Sequence, residues 1–382
     1  LRHFFALRMC ERAQWEIRAL ARRMFDPQEF GRLVPRWRTT AGNGAGRGSR
    51  TSSTEAIARP QDASHPLALT QTIARDFLER GGKHLRPFIT LAAYDAMRGG
   101  RAFDGDGAGW AARIPDPVRR IALAIEVFHK ASLVHDDIED DDPFRYGLPT
   151  LHRRHGVPAA INVGDYLIGL GYRLVAEQRP WLSTEAVADI LARLAEAHTR
   201  LCEGQGAELA WRDVNCKSLP PQEALKIYAL KTAPAFEAAL FAGMRLAGQV
   251  GAEREPCARL ARHLGVAFQI LNDLDDWTLD PPNKRTQGSD ALGRRPTVLW
   301  ALALENLDAA GRRELEAVAQ RTPDRPAETI ETVRRLYQRA GVFEQAQALV
   351  HRHRQRTHEI ADSISPRPLS QLLHYLADTV LE

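Results

Sequence analysis

From about residue 63 onward, apolar residues recur at spacings of three and four, and this periodicity constrains the fold more than any other feature of the chain. Runs at 66–80, 87–97, 117–136, 158–176, 184–211, 220–249 and 256–277 each present one helical face for burial, and shorter stretches follow at 297–305, 311–321, 327–340, 343–363 and 368–381. β-branched alternation is scarce and no strand–helix alternation appears, so the pattern predicts an all-α domain of packed helices. A chain of 382 residues with 44% hydrophobic content can bury a core of its own.

Residues 1–38 read as one amphipathic, arginine-rich helix with Phe4, Phe5, Leu7, Trp15, Ile17 and Leu20 on its apolar side. Packing on the main body is the expected role; a targeting or membrane-surface segment is the rival, and Glu11, Glu16 and Asp26 spoil it. Residues 39–63, opening TTAGNGAGRGSRTSSTE, form a Gly/Ser/Thr-rich linker, and 64–382 form the main domain. Residues 1–50 hold eleven arginines against four acids, a net of +7 in a chain of net +4, so the remainder sits near −3. A nucleic-acid role for the main body therefore has no compositional support. Cys10, Cys202, Cys216 and Cys257 show no CxxC spacing, which argues against zinc and disulfides and fits a reducing, cytoplasmic setting. No apolar run reaches the length of a membrane span.

Two acidic clusters end apolar helical runs. Asp136-Asp137-Ile138-Glu139-Asp140-Asp141-Asp142 follows IALAIEVFHKASLVH, and Asn272-Asp273-Leu274-Asp275-Asp276 follows LARHLGVAFQIL. Unpaired burial of charge is costly. Spacings of one and four residues bring acidic groups onto roughly one helical face. A hard cation such as Mg²⁺, which takes oxygen ligands and shares them with phosphate, suits that arrangement. For one cluster alone, a solvated helix end is the better reading; two of similar spacing are harder to dismiss. A calcium loop starting at Asp136 fails because Asp141 stands where glycine is needed.

Metal–phosphate sites need cations nearby, and the chain supplies them. Gly81-Gly82-Lys83-His84-Leu85-Arg86-Pro87 places a point charge and a guanidinium fork behind paired glycines. Arg145 follows the first cluster. Lys231-Thr232 precedes Pro234, which should bend its helix. Gln269 lies about one turn below Asn272, and Lys284, Asp290 and Arg295 follow the second cluster.

In order and spacing, GGKHLRP (81–87), DDIED with R.GLPTLH (136–152), GQGAEL (204–209), KT (231–232), FQILNDLDD (268–276) and GSDALGRRPT (288–297) resemble the trans-isoprenyl diphosphate synthases, over roughly residues 64–382. The resemblance implies an isoprenoid synthase-type bundle of helices around a central cavity, Mg²⁺ as cofactor and a homodimer. It implies that Asp136, Asp137 and Asp140 bind Mg²⁺ on an allylic diphosphate from one side. Asn272, Asp273 and Asp276 would do so from the other, with Asp290 in support. Arg145, Lys231 and Arg295 would contact that diphosphate, and Gly82, Lys83, Arg86 and His129 would hold isopentenyl diphosphate. Thr232 and Gln269 would lie beside the carbocation, and released pyrophosphate would take the final proton.

The chain departs from the pattern at four positions. Tyr146 stands where the family normally has a second arginine, His84 replaces a common arginine, Asn272 replaces the first aspartate of the second motif, and Arg295 replaces a lysine. A class I terpene cyclase on the same fold is an alternative, since Asn272, Asp276 and Asp280 loosely match that group's metal motif; Lys83, Arg86 and Lys231 argue against it. A non-catalytic subunit of a heteromeric synthase is the other. Product length should follow the residues upstream of Asp136, which lie deeper by about 1.5 Å each. Ala131 and Ser132 are small, and Phe128, roughly 12 Å below Asp136 by that rise, is the expected floor, giving a product near geranylgeranyl diphosphate.

Overall fold

The computed structural model describes residues 18–34, 66–100, 113–213, 219–278, 287–293, 295, 297–320 and 326–381. Most of the long predicted helices form with boundaries shifted by a residue or two. They are α2 (Leu69–Glu79), α3 (Leu85–Met97), α4 (Asp116–Glu139), α6 (Val157–Ala176), α7 (Thr184–Asp213) and α10 (Arg254–Asp275). Then come α12 (Val298–Asn306), α13 (Ala309–Gln320), α14 (Pro326–Arg339), α15 (Val342–Asp362) and α16 (Arg367–Val380). The protein is an all-α bundle. Its core joins α4 to α3 and α6, and α9 (Ala233–Ala247) to α3, α7 and α10. A second apolar cluster gathers Tyr228, Ile270, Val298, Leu299, Leu336 and Tyr337 behind the second acidic helix.

The single helix expected over 1–38 is corrected where it is described. A helical segment over 18–23 ends in a turn, and α1 (Pro27–Leu33) begins afresh. Asp26 accepts from Gln28 N at 3.0 Å and Pro27 occupies the first turn, where a missing N–H costs nothing. This segment packs on the bundle: Leu20, Met24, Phe25, Phe30 and Leu33 are buried, and Arg18 lies 5.2 Å from the Phe88 ring. Residues 39–63, read as a linker, lie outside the described residues, as do Asp280 and Lys284.

The run at 220–249 is two helices, α8 (Pro221–Lys231) and α9, broken at Thr232 (φ −122°, ψ −45°). Pro234 supplies no N–H to carry the helix across. Two glycines let neighbouring helices close on the break: a Cβ on Gly204 would stand 2.6 Å from Lys231 N, and one on Gly265 2.7 Å from Ala233 Cα. The Lys231–Thr232 pair is thus held at a fixed kink between α7 and α10.

One feature with no helical signature is a short hairpin. β1 (Phe144–Arg145) pairs with β2 (Leu148–Pro149) through a turn at Tyr146 (φ 53°) and Gly147 (φ 76°). Two positive φ values in a two-residue loop match the right-handed twist of the strands. The short helix α5 (Leu151–His155) follows. The hairpin folds Arg145 back onto α4 and swings the Tyr146 ring over Gly81, where a Cβ would meet it at 3.3 Å.

Candidate active site

Helices α4, α7, α9 and α10 enclose a cavity of about 370 Å³. Its upper wall carries Asp136, Glu139, Lys231, Thr232 and Gln269; its apolar part includes Ile125, Phe128, Leu194, Ala197 and Phe268. Arg86, His129, Ser132, His135 and His198 also line it. On α4 the cavity-facing positions are 125, 128, 129, 132, 135, 136 and 139, the stripe that a 3.6-residue period demands. Phe128 and Ser132 therefore stand where they were expected. Ala131 does not: it is buried off that stripe in the helix packing, so it has no part in bounding the cavity. Phe128 rests edge-on against Tyr172, with centroids 4.8 Å apart, in a space left by Gly171, where a Cβ would be 2.7 Å from the ring.

Adjacent aspartates of the first cluster have different partners. Asp136 faces the cavity. Burial, reinforced by Asp140 and Glu139 against Lys231 and Arg145, pushes its carboxyl up to about 7. Asp137 points the other way, almost fully buried, with Oδ1 held by Arg145 and Oδ2 without a hydrogen-bond partner. Burial raises its pKa while Arg145 opposes the rise. Asp140 is 2.7 Å from Arg212 Nη2 and 3.0 Å from Arg295 Nη2, cations that outweigh burial and hold its pKa low.

On α10, Asp273 is buried and accepts from the Tyr228 hydroxyl and from Gln269 Nε2 at 3.3 Å. Burial and Asp290 push its pKa well up, against those two hydrogen bonds. Gln269 also accepts from Thr232 Oγ1 at 3.3 Å, and Tyr228 accepts from Val298 N at 2.7 Å, so the chain of contacts runs from the kink into the second core cluster. Asn272 is exposed, one turn further along α10 than Gln269. Asp276 is corrected: its carboxylate caps the short helix α11 (Ser289–Leu292), accepting from Ser289 N (3.2 Å), Ser289 Oγ (2.6 Å) and Asp290 N (3.0 Å).

Cations tie these parts together. Arg295 reaches Asp140 at 3.0 Å, Asp142 at 3.2 Å and Asp290 at 3.3 Å, joining both acidic regions. Lys231 Nζ lies 2.9 Å from Glu208, and that carboxylate and Asp136 keep its pKa raised despite burial. Arg145 is engaged by Asp137 and, at 3.4 Å, Asp142. Lys83 and Gly82 are exposed on the loop before α3, Arg86 lies 5.5 Å from the Phe236 ring, and His129 is driven down to about 3 by burial and Arg86, so it is neutral.

Sequence reading missed Glu208, Arg212, Tyr228, Glu126 and Lys130. Four of these left a visible signal: Glu126 and Lys130 put opposite charges one turn apart inside an apolar run. Glu208 and Arg212 likewise share an (i, i+4) face after GQGA. Tyr228 gave none, because only the tertiary fold brings it to Asp273.

The donors suit a hard cation in that they are oxygens, and Asp136 and Asp273 are carboxyls that burial leaves short of positive charge. No group of three or more His, Cys, Asp or Glu among the described residues is arranged to hold a metal alone. A cation between the two sides would need phosphate oxygens to complete its shell.

A helical bundle with acidic clusters, a kinked lysine–threonine pair and an apolar pocket suits an enzyme acting on a phosphate ester with an apolar tail. A family model for polyprenyl synthetase matches residues 68–337, and one for thymidylate synthase complementing protein matches residues 1–36. A short chain isoprenyl diphosphate synthase of Methanothermobacter thermautotrophicus is 30% identical over 79% of this chain and 86% of the relative. A geranylfarnesyl diphosphate synthase of Natronomonas pharaonis is 30% identical over 71% and 81%. The crystal structure of a geranylgeranyl pyrophosphate synthetase from Pyrococcus horikoshii shares the fold, with TM-score 0.75, 97% and 98% coverage and 23% identity. The chain belongs to the polyprenyl synthetase family and is a prenyltransferase of the isoprenyl diphosphate synthase class.

Proposed function

We propose that this enzyme condenses isopentenyl diphosphate with an allylic diphosphate in a Mg²⁺-dependent reaction, giving a product near geranylgeranyl diphosphate. One observation carries the reading: Asp136, Lys231, Thr232 and Gln269 crown a single cavity whose deeper wall is apolar. Asp136 and Asp140 would hold Mg²⁺ from one side and Asn272 and Asp273 from the other, while Asp137 and Asp276 support Arg145 and α11. Bound Mg²⁺ would neutralise charge gathering on the departing diphosphate. Lys231 and Arg295 add fixed positive charge there, Arg295 exchanging Asp140 and Asp142 for phosphate oxygens. The apolar wall keeps water from the allylic cation. Thr232 Oγ1 and the Gln269 amide present their dipoles beside it. A homodimer in the cytoplasm is part of this proposal.

Purified protein with Mg²⁺, isopentenyl diphosphate and allylic primers of several lengths should yield elongated diphosphates. No elongation of any primer would overturn the reading, and hydrocarbon released without isopentenyl diphosphate would point to a cyclase instead. Phe128→Ala should shift the product to longer chains, read by chromatography after dephosphorylation, because the ring lies in the deeper cavity wall. An unchanged product distribution would remove Phe128 as the floor.

A further inference from the structure

The first acidic helix carries a charge pair that the proposed chemistry does not use. Glu126 and Lys130 lie one turn apart on α4 and are 2% and 0% exposed. Lys130 Nζ donates to the carbonyls of Arg80 and Gly81, both at 2.6 Å, and lies 4.1 Å from the centroid of the Tyr146 ring. It would be 3.7 Å from a Cβ on Gly82, and the Tyr146 hydroxyl 3.6 Å. A buried ammonium is costly even when paired, and a methionine would fill similar volume without the charge. In planar trans peptides, carbonyls of Arg80 and Gly81 turned inward onto Lys130 turn the amides of Gly81 and Gly82 the opposite way. Those amides lie on an exposed loop, next to Lys83 and just before the helix that carries Arg86. Successive amides of this kind make an anion-binding concavity.

We propose that Lys130 is a positioning residue for the second diphosphate: it sets the 81–83 loop for anion binding and supplies the positive charge that Tyr146 does not. This rests on the synthase reading. The Tyr146 ring closes over the ammonium, held there by the hairpin turn, and the attraction of cation to aromatic face adds to the latch. Glu126 balances the buried charge from beside it: its Oε1 would stand 3.8 Å from the same Cβ on Gly82 and lies 3.3 Å from His84 Nδ1.

The test is calorimetric binding of isopentenyl diphosphate, paired with its KM and that of the allylic primer. Lys130→Met should weaken isopentenyl diphosphate binding by about tenfold or more, the size expected for losing a charged hydrogen-bond donor. The primer KM and kcat should stay within about threefold, and Lys130→Arg should retain most of the affinity. Adding Tyr146→Arg to Lys130→Met should recover affinity to within about threefold of wild type, a rescue that a purely structural lysine would not show. Tyr146→Arg alone, at an exposed turn, should bring no gain, because two cations would then crowd one site. The inference is overturned if Lys130→Met binds within twofold of wild type, if both KM values rise equally, or if the double variant is no better than Lys130→Met. If Lys130→Met does not fold, Tyr146→Arg decides alone: a tenfold gain in affinity would show that the site lacked its cation. Wild type that binds isopentenyl diphosphate without elongating a primer would sink the synthase reading only; wild type that binds none sinks both.

Discussion

Replacing Asp136 with asparagine is expected to slow turnover strongly and, in metal-free protein above pH 7, to raise the melting temperature. Asp136 faces the cavity with its carboxyl pushed up to about 7 from an unfolded value of 3.8, mainly by burial. The sign follows from linkage: the unfolded chain loses this proton near pH 4, the folded chain only near pH 7. The native state therefore carries no cost below pH 4, a growing cost between, and the full cost above about 7. At 1.36 kcal/mol per unit the ceiling is roughly 4 kcal/mol. A carboxyl facing an open cavity is partly solvated, so about 1–2 kcal/mol is the reasonable gain for Asp136→Asn at pH 8. Activity should fall by about a hundredfold or more, the effect of deleting one fixed charge at a reacting centre. Calorimetric melts at pH 8 and pH 5 check the stability half: the gain should shrink towards pH 5. A variant less stable than wild type at pH 8 would mean that the carboxylate is not electrostatically strained.

The neighbouring substitution should go the other way. Asp137→Ala removes the partner of Arg145 and leaves a guanidinium that is 18% exposed with only Asp142 at 3.4 Å. Breaking a buried pair from one side costs about 3–5 kcal/mol, and the lower end applies here because Asp142 remains. The melting temperature should fall by several degrees, with or without Mg²⁺ added. Equal behaviour of the two variants would contradict the division of labour between these adjacent residues: one aspartate strained towards the ligand, one anchoring the hairpin.

That division was only partly legible in the sequence. Helical periodicity placed the helices because burial on one face is a local pattern, and Pro234 announced the kink at Lys231–Thr232. Five of the six motifs place residues on the cavity wall. What the sequence withheld was the direction of each side chain. Asp136, Asp137 and Asp140 look alike in a one-dimensional reading, yet one faces the cavity, one pairs with Arg145 and one with Arg212 and Arg295. Asp276 was read as a ligand, but the chain returns to offer it the amides of Ser289 and Asp290. Ala131 was read as bounding the pocket, although its position on the helix differs from that of Phe128 and Ser132 by enough to leave the cavity stripe. The hairpin at 144–149 escaped because two-residue strands carry no periodicity. Tyr146 looked like a lost cation; that it lies against the Lys130 ammonium becomes visible only once the hairpin folds back on α4.

The two acidic clusters should act as one clamp on a diphosphate. Calorimetric titration of inorganic pyrophosphate with Mg²⁺ into wild type, Asp136→Asn and Asp273→Asn tests it most directly. Binding at pH 6.5 should release more protons to buffer from wild type than from Asp136→Asn, since Asp136 must ionise to take a cation. Each single variant should bind at least about tenfold more weakly, the loss expected when one charged ligand is removed. Wild-type affinity in either variant would contradict the account, because a clamp cannot hold its ligand from one side alone.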